Sequence, residues 1–254
     1  MTERTAKPPT AMAAATPATG ASNDGRLISR KNEVDSFLQK LAAAPKPAAA
    51  AGRRGRLIFA LDATASRQPT WDRACHLQAE MFAAAAGLGG LEVQLVFYRG
   101  FGECKAGRWV SDAASLTRTM TGVSCLGGHT QIGRVLSHAL RESAAGRVQA
   151  LVFVGDAIEE DIDALCHTAG QLGLQGLPCF MFQEGDDPAA RNAFQQIARL
   201  SGGAWCPFDA ASAQQLKDLL AAVAAFAAGG APALMKIAAA NPRLLALTDQ
   251  MNRR

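Results

Sequence analysis

The sequence predicts an α/β protein with a Rossmann-like, doubly wound sheet. That sheet is mostly parallel and six-stranded, with one short antiparallel edge strand and helices on both faces. Three observations lead there. Short continuous apolar runs recur from Arg56 to about Phe208, and stretches with helical spacing separate them. Two of the runs, LIFAL and ALVFVG, stop directly at an acidic residue, Asp62 and Asp156. Runs buried on both faces are what a parallel sheet requires, and each parallel crossover lays its helix over one face.

The elements follow in order. Residues 1–24 are rich in Ala, Thr and Pro and carry little that could form a core, so disorder is expected. Within residues 25–55, Val34, Leu38 and Leu41 stand at helical spacing, and the Pro- and Gly-containing APKPAAAAGRRG reads as a linker. The main body is expected over residues 56–228. Its first strand is LIFAL (57–61), followed by a helix from Trp71 to Ala86 that GLGG ends. LEVQLVFY (91–98) is the second strand, and ECKAGRWV (103–110) a short edge strand with Gly107 near a bend.

A short helix is expected over Ala113–Met120. The loop GVSCLGGHT then leads into a helix from Gln131 to Ser143. ALVFVGD (150–156) is another buried strand. Helix Asp161–Leu172, strand Leu177–Phe182, helix Pro188–Leu200, strand AWCPF and helix Ala213–Ala228 complete the series. Residues 229–254 form an appendage whose docking site the pattern does not specify.

Composition narrows the function classes. The net charge is +4, yet the first 56 residues carry ten basic and four acidic side chains, a net of +6, which leaves −2 for the remainder. The basic character therefore belongs to the N-terminal extension. The basic residues are scattered and no aromatic stacking series accompanies them, so a specific nucleic-acid partner is not expected. Six widely spaced cysteines form no CxxC pair and read as small buried thiols in a reducing compartment. No apolar run is long enough for a membrane span, and the N-terminus lacks the apolar core of a secretory signal. A cytoplasmic location is the expectation.

Three segments carry the chemistry. LDATAS places Asp62, Thr64 and Ser66 directly after the first strand, GGHTQIG places Thr130 just before a helix, and FVGD ends a central strand at Asp156. In an open α/β sheet, groups beyond the C-terminal strand ends converge on the crevice where strand order reverses. Two carboxylates and three hydroxyls are the all-oxygen donor set that hard Mg²⁺ prefers. Each residue also has a purely structural reading. Asp62 and Ser66 could turn the strand into its helix, Thr130 could be an N-cap, and Asp156 could cap the following helix.

Taken together, Asp62-x-Thr64-x-Ser66, Thr130 and Asp156 resemble the metal-ion-dependent adhesion site (MIDAS) of von Willebrand factor type A (VWA) domains, over roughly Arg56 to Ala228. The resemblance implies Mg²⁺ or Mn²⁺ held by Asp62, Thr64, Ser66, Thr130 and Asp156. It also implies a protein partner that presents an Asp or Glu to the metal. Thr64 stands where the family usually has Ser, which keeps the oxygen donor and adds a methyl. His129 stands where a small residue is common; it reads either as a group facing an acidic ligand or as an unrelated surface histidine.

An Mg-dependent phosphoester hydrolase is the rival reading. Aspartyl-phosphatase chemistry needs a second carboxylate two positions after the first, where this chain has Thr64, and a hydroxyl cannot shuttle that proton at neutral pH. No GxxxxGK[ST], GxSxG or HExxH motif is present. His76, His138 and His167 fall inside expected helices without metal-pair spacing. Glu159, Glu160 and Asp161 read as favourable charge at a helix start, and Glu184, Asp186 and Asp187, which follow a strand, read either as residues framing the pocket or as solvated turn residues. The expected function is a cation-dependent protein-binding module, an adaptor or assembly component, with no catalytic residues assigned.

Overall fold

The structure is a computed structural model that describes residues 54–72, 75, 90–208, 221–228, 232–233 and 235–236. The expected N-terminal helix and linker lie outside these residues almost entirely. So do most of the helix expected from Trp71 to Ala86, the first part of the one expected from Ala213, and most of the C-terminal appendage.

Six strands form one sheet in the order β3-β2-β1-β4-β5-β6. They are β1 (Gly55–Asp62), β2 (Leu91–Arg99), β3 (Glu103–Val110), β4 (Ala150–Gly155), β5 (Cys179–Glu184) and β6 (Ala204–Phe208). All neighbours pair in parallel except β2 and β3, whose antiparallel register shifts between Gln94 and Val96. The helices are α1 (Ala113–Thr121), α2 (Ile132–Ala145), α3 (Ile162–Leu174) and α4 (Pro188–Ser201), and residues 221–228 are also helical.

Strand alternation divides the core in two. Leu57, Phe59 and Leu61 of β1 face one layer, packed with Phe97, Val152, Phe180, Trp71, Met120 and Phe226. Ile58 and Ala60 face the other, packed with Tyr98, Phe153, Val135 of α2, Leu172 of α3 and Phe194 of α4. The sheet is thus covered on both sides, as its uninterrupted apolar runs require.

This order positions the site. From β1 the chain goes first to β2 on one side and later to β4 on the other, so strand order reverses between β1 and β4. Because β1, β2, β4 and β5 run parallel, Asp62, Tyr98, Asp156 and Glu184 all fall at one edge of the sheet.

Candidate functional site

Asp62 is the last residue of β1 and is 3% exposed. It continues the alternation of Ile58 and Ala60, and its register partner on β2 is Tyr98. Residues directly opposite on adjacent strands share a face, which brings the phenol to the carboxylate: Tyr98 Oη donates to Asp62 Oδ2 at 3.1 Å. The other oxygen, Oδ1, accepts from the Thr64 backbone N–H at 2.7 Å.

Burial pushes the Asp62 carboxyl above its usual range and the nearby charge of Asp156 adds to this, while hydrogen bonds from Thr64 and the charge of Arg67 oppose it. Burial, with the charge of Asp62, drives the Tyr98 phenol well above its ordinary value, so it stays a neutral donor.

After β1 the chain tightens into a 3-10 turn, Ala65–Arg67, closed by the Arg67 N–H on Thr64 O at 2.9 Å. The turn aligns the two hydroxyls, with Thr64 Oγ1 3.4 Å from Ser66 Oγ. Ser66 Oγ in turn faces Asp156 Oδ2 at 3.4 Å. Asp62, Thr64, Ser66 and Asp156 are therefore linked in series across the β1/β4 crevice, first through the Thr64 N–H and then through the two hydroxyls. Asp156 does not cap the following helix; Asp161 does, accepting from the N–H groups of Asp163 and Ala164.

Arg67, the next residue, turns inward. Its side chain is 3% exposed, with Nη1 3.9 Å from Asp156 Oδ2 and ion-paired to Glu184 at the end of β5. The Thr70 hydroxyl also donates to Glu184. Glu184 is thus a partly buried counter-ion that frames the pocket and not a solvated turn residue. Asp187 caps α4 through the Ala190 N–H at 2.6 Å, and the exposed Asp186 lies 3.8 Å from Arg191.

Thr130 is held from a different direction. Its N–H donates to Glu159 Oε2 at 3.0 Å, and its hydroxyl accepts from the Glu159 N–H at 3.0 Å. His129 Nδ1 lies 2.9 Å from the same carboxylate, and its ring meets Phe101 edge to face at 4.9 Å. The Thr130 N–H and the His129 pairing hold the Glu159 carboxyl below its usual value. Glu160 accepts from the N–H groups of Ile132 at 2.5 Å and Gly133 at 2.8 Å, closing the first turn of α2. The N-cap position of α2 is Gln131, which provides no side-chain cap. Glu159 therefore holds the loop before α2 and Glu160 the start of α2 itself.

The Thr130 loop lies over the site edge because backbone bonds anchor it: Leu126 N–H donates to Ala63 O at 3.0 Å and His129 N–H to Gly100 O at 3.2 Å. This approach needs glycine on both sides. Gly100 sits at φ +58°, and a Cβ on Gly128 would lie 2.0 Å from Gly100 O.

The structure links four of the five candidate residues directly and places the fifth, Thr130, on Glu159. Among the described residues no three His, Cys, Asp or Glu side chains group as a ligand set. The site's oxygens come instead from two carboxylates and neighbouring hydroxyls. Tyr98, Arg67, Glu159 and Glu160 complete the site and were not singled out by motif. The one cue to Tyr98 was that it is the chain's single tyrosine and ends an apolar strand.

The architecture is a VWA-like fold, as three solved structures show. The SpRpn10 VWA domain superposes with a TM-score of 0.50 at 14% identity, over 66% of this chain and 94% of that one. The vWF domain of the type V pili tip protein Mfa5 from Porphyromonas gingivalis gives 0.53 at 10% identity, over 67% and 96%. Proximal thread matrix protein 1 from the mussel byssus, in a structure with a zinc-occupied MIDAS motif, gives 0.51 at 14% identity. That match covers 68% of this chain and 46% of the other. Identities this low establish the fold and transfer no residue roles. No protein-family model and no curated protein matches the chain.

Proposed function

We propose that this chain is a divalent-cation-dependent protein-binding module, an adaptor or assembly component of the cytoplasm, whose site takes a carboxylate from a protein partner. The observation that carries the reading is the linked set Asp62, Thr64, Ser66 and Asp156, joined through the Thr64 N–H and the two hydroxyls across the point where strand order reverses. These are hard, oxygen-only donors, which suit Mg²⁺ or Mn²⁺ and not a thiolate-bound metal. Asp62, Ser66 and Asp156 would hold the ion, with Thr64 and Thr130 as the neutral hydroxyls of the set. The bound cation supplies positive charge for an acidic side chain of the partner.

This chain's own residues prepare that role. Tyr98 orients Asp62, the 3-10 turn aims Thr64 and Ser66, and Glu159 fixes Thr130. At the rim, Phe101 is 82% exposed and Leu126 54% exposed, apolar contact area of the kind protein partners cover. The proposal is tested by capturing partners from lysate on the immobilised chain, in Mg²⁺ and in EDTA, with Asp62→Ala beside the wild type. A partner retained only by the wild type in Mg²⁺ is the expected result. A partner set that ignores both EDTA and the substitution contradicts it.

A further inference from the structure

Arg67 is an unusual neighbour for a cation site. It follows Ser66 directly, is almost fully buried, and places Nη1 between Asp156, at 3.9 Å, and Glu184. Its Nε and Nη2 are buried without a hydrogen-bond partner among the described residues. Leaving guanidinium donors unsatisfied is costly, so something other than hydrogen bonding must hold the group there. The carboxylates do: Asp156 and Glu184 flank it, and its charge also reaches Asp62.

We infer that Arg67 is a tethered cation that competes with the divalent ion for Asp156 and thereby sets the affinity of the site. This rests on the metal-binding reading above. In the metal-free protein the guanidinium compensates the carboxylates. An ion bound among Asp62, Ser66 and Asp156 is placed close to a like charge that cannot leave, because Arg67 is packed in the fold and anchored by Glu184. The divalent ion therefore binds against a standing repulsion, and the site fills only at correspondingly higher ion concentration. Thr70 has a place in the device, since its bond to Glu184 helps fix the anchor.

The test is Mn²⁺ titration by calorimetry on the full chain, together with thermal melts in EDTA and in Mn²⁺. Arg67→Gln removes the charge, Arg67→Met removes it while keeping the apolar stem in its buried slot, and Arg67→Lys retains it. Loss of the charge should tighten Mn²⁺ binding by about tenfold, the order expected for one unit charge a few ångströms from a partly exposed ion. Lys should remain near the wild type. In EDTA the Gln and Met variants should melt below the wild type, and Mn²⁺ should raise their Tm by more.

If Mn²⁺ binds the wild type and binds both charge-free variants equally or more weakly, the tethered-cation account is overturned and the metal site stands. If folded wild type and variants alike bind no Mn²⁺, both are overturned. Should the charge-free variants fold only in the presence of Mn²⁺, that rescue itself supports the account, because it shows the ion replacing the missing cation.

Discussion

Tyr98 and Asp62 are register partners on adjacent parallel strands, and the phenol donates to the carboxylate at 3.1 Å inside the buried end of the sheet. The bond ties the site to the core. Tyr98 packs against Phe153 in a stacked arrangement, ring centroids 6.3 Å apart, so the donor is immobilised by the same layer that buries β1. On the proposed reading, a carboxylate oriented from behind in this way would meet an ion without further rearrangement.

Tyr98→Phe keeps the packing and deletes the donor. Asp62 Oδ2 then loses a buried hydrogen bond, which should lower stability by about 1–2 kcal/mol. Mn²⁺ affinity should fall by about tenfold, as when an outer partner of a metal ligand is removed. Denaturant melts and calorimetry read the two effects separately, and an unchanged affinity would show that the phenol has only a structural role.

Asp62→Asn should separate stability from binding. Burial raises the native Asp62 carboxyl above its unfolded value, so the folded state holds the proton more tightly. The group therefore lends stability that is complete below the unfolded pKa and lost as pH rises through the native one. Asn keeps an acceptor for the Thr64 N–H and stays neutral. In EDTA the stability of Asp62→Asn relative to wild type should rise from about pH 4 toward neutrality. Mn²⁺ should then raise the Tm of the wild type alone. A constant difference across that range would contradict the assigned protonation.

Glu160→Ala removes the acceptor for two first-turn amides of α2, those of Ile132 and Gly133. The expected cost is about 1–3 kcal/mol, the range for stranding partly buried donors. Glu160→Gln, which keeps one acceptor, should lose less. Amide hydrogen exchange at Ile132 and Gly133 should accelerate in both, more in the Ala variant, and equal protection in wild type and variants would show that another group caps the helix.

Much of this was legible in the chain because buried parallel strands are continuous apolar runs. The edges of LIFAL and ALVFVG locate the ends of β1 and β4 to within a residue or two, and hence Asp62 and Asp156. Thr64 and Ser66 follow from local spacing alone. Tyr98 was not legible, since its role depends on the register between β1 and β2, which no local pattern encodes. Arg67 was hidden for a related reason: its counter-ion Glu184 lies on β5, and only the sheet order brings them together. Glu159 and Glu160 read locally as charge for the helix beginning after them. The fold turns them outward, one to Thr130 and the other to the start of α2.

The central claim is that oxygens from β1, the turn after it and the end of β4 hold one hard divalent ion. Calorimetric titration of the full chain with Mn²⁺, wild type against Asp62→Asn, tests it most directly. One saturable site per chain in the wild type, absent from a folded Asp62→Asn, is the expected result. No saturable binding by the wild type at millimolar Mn²⁺, or equal binding by both proteins, would contradict it.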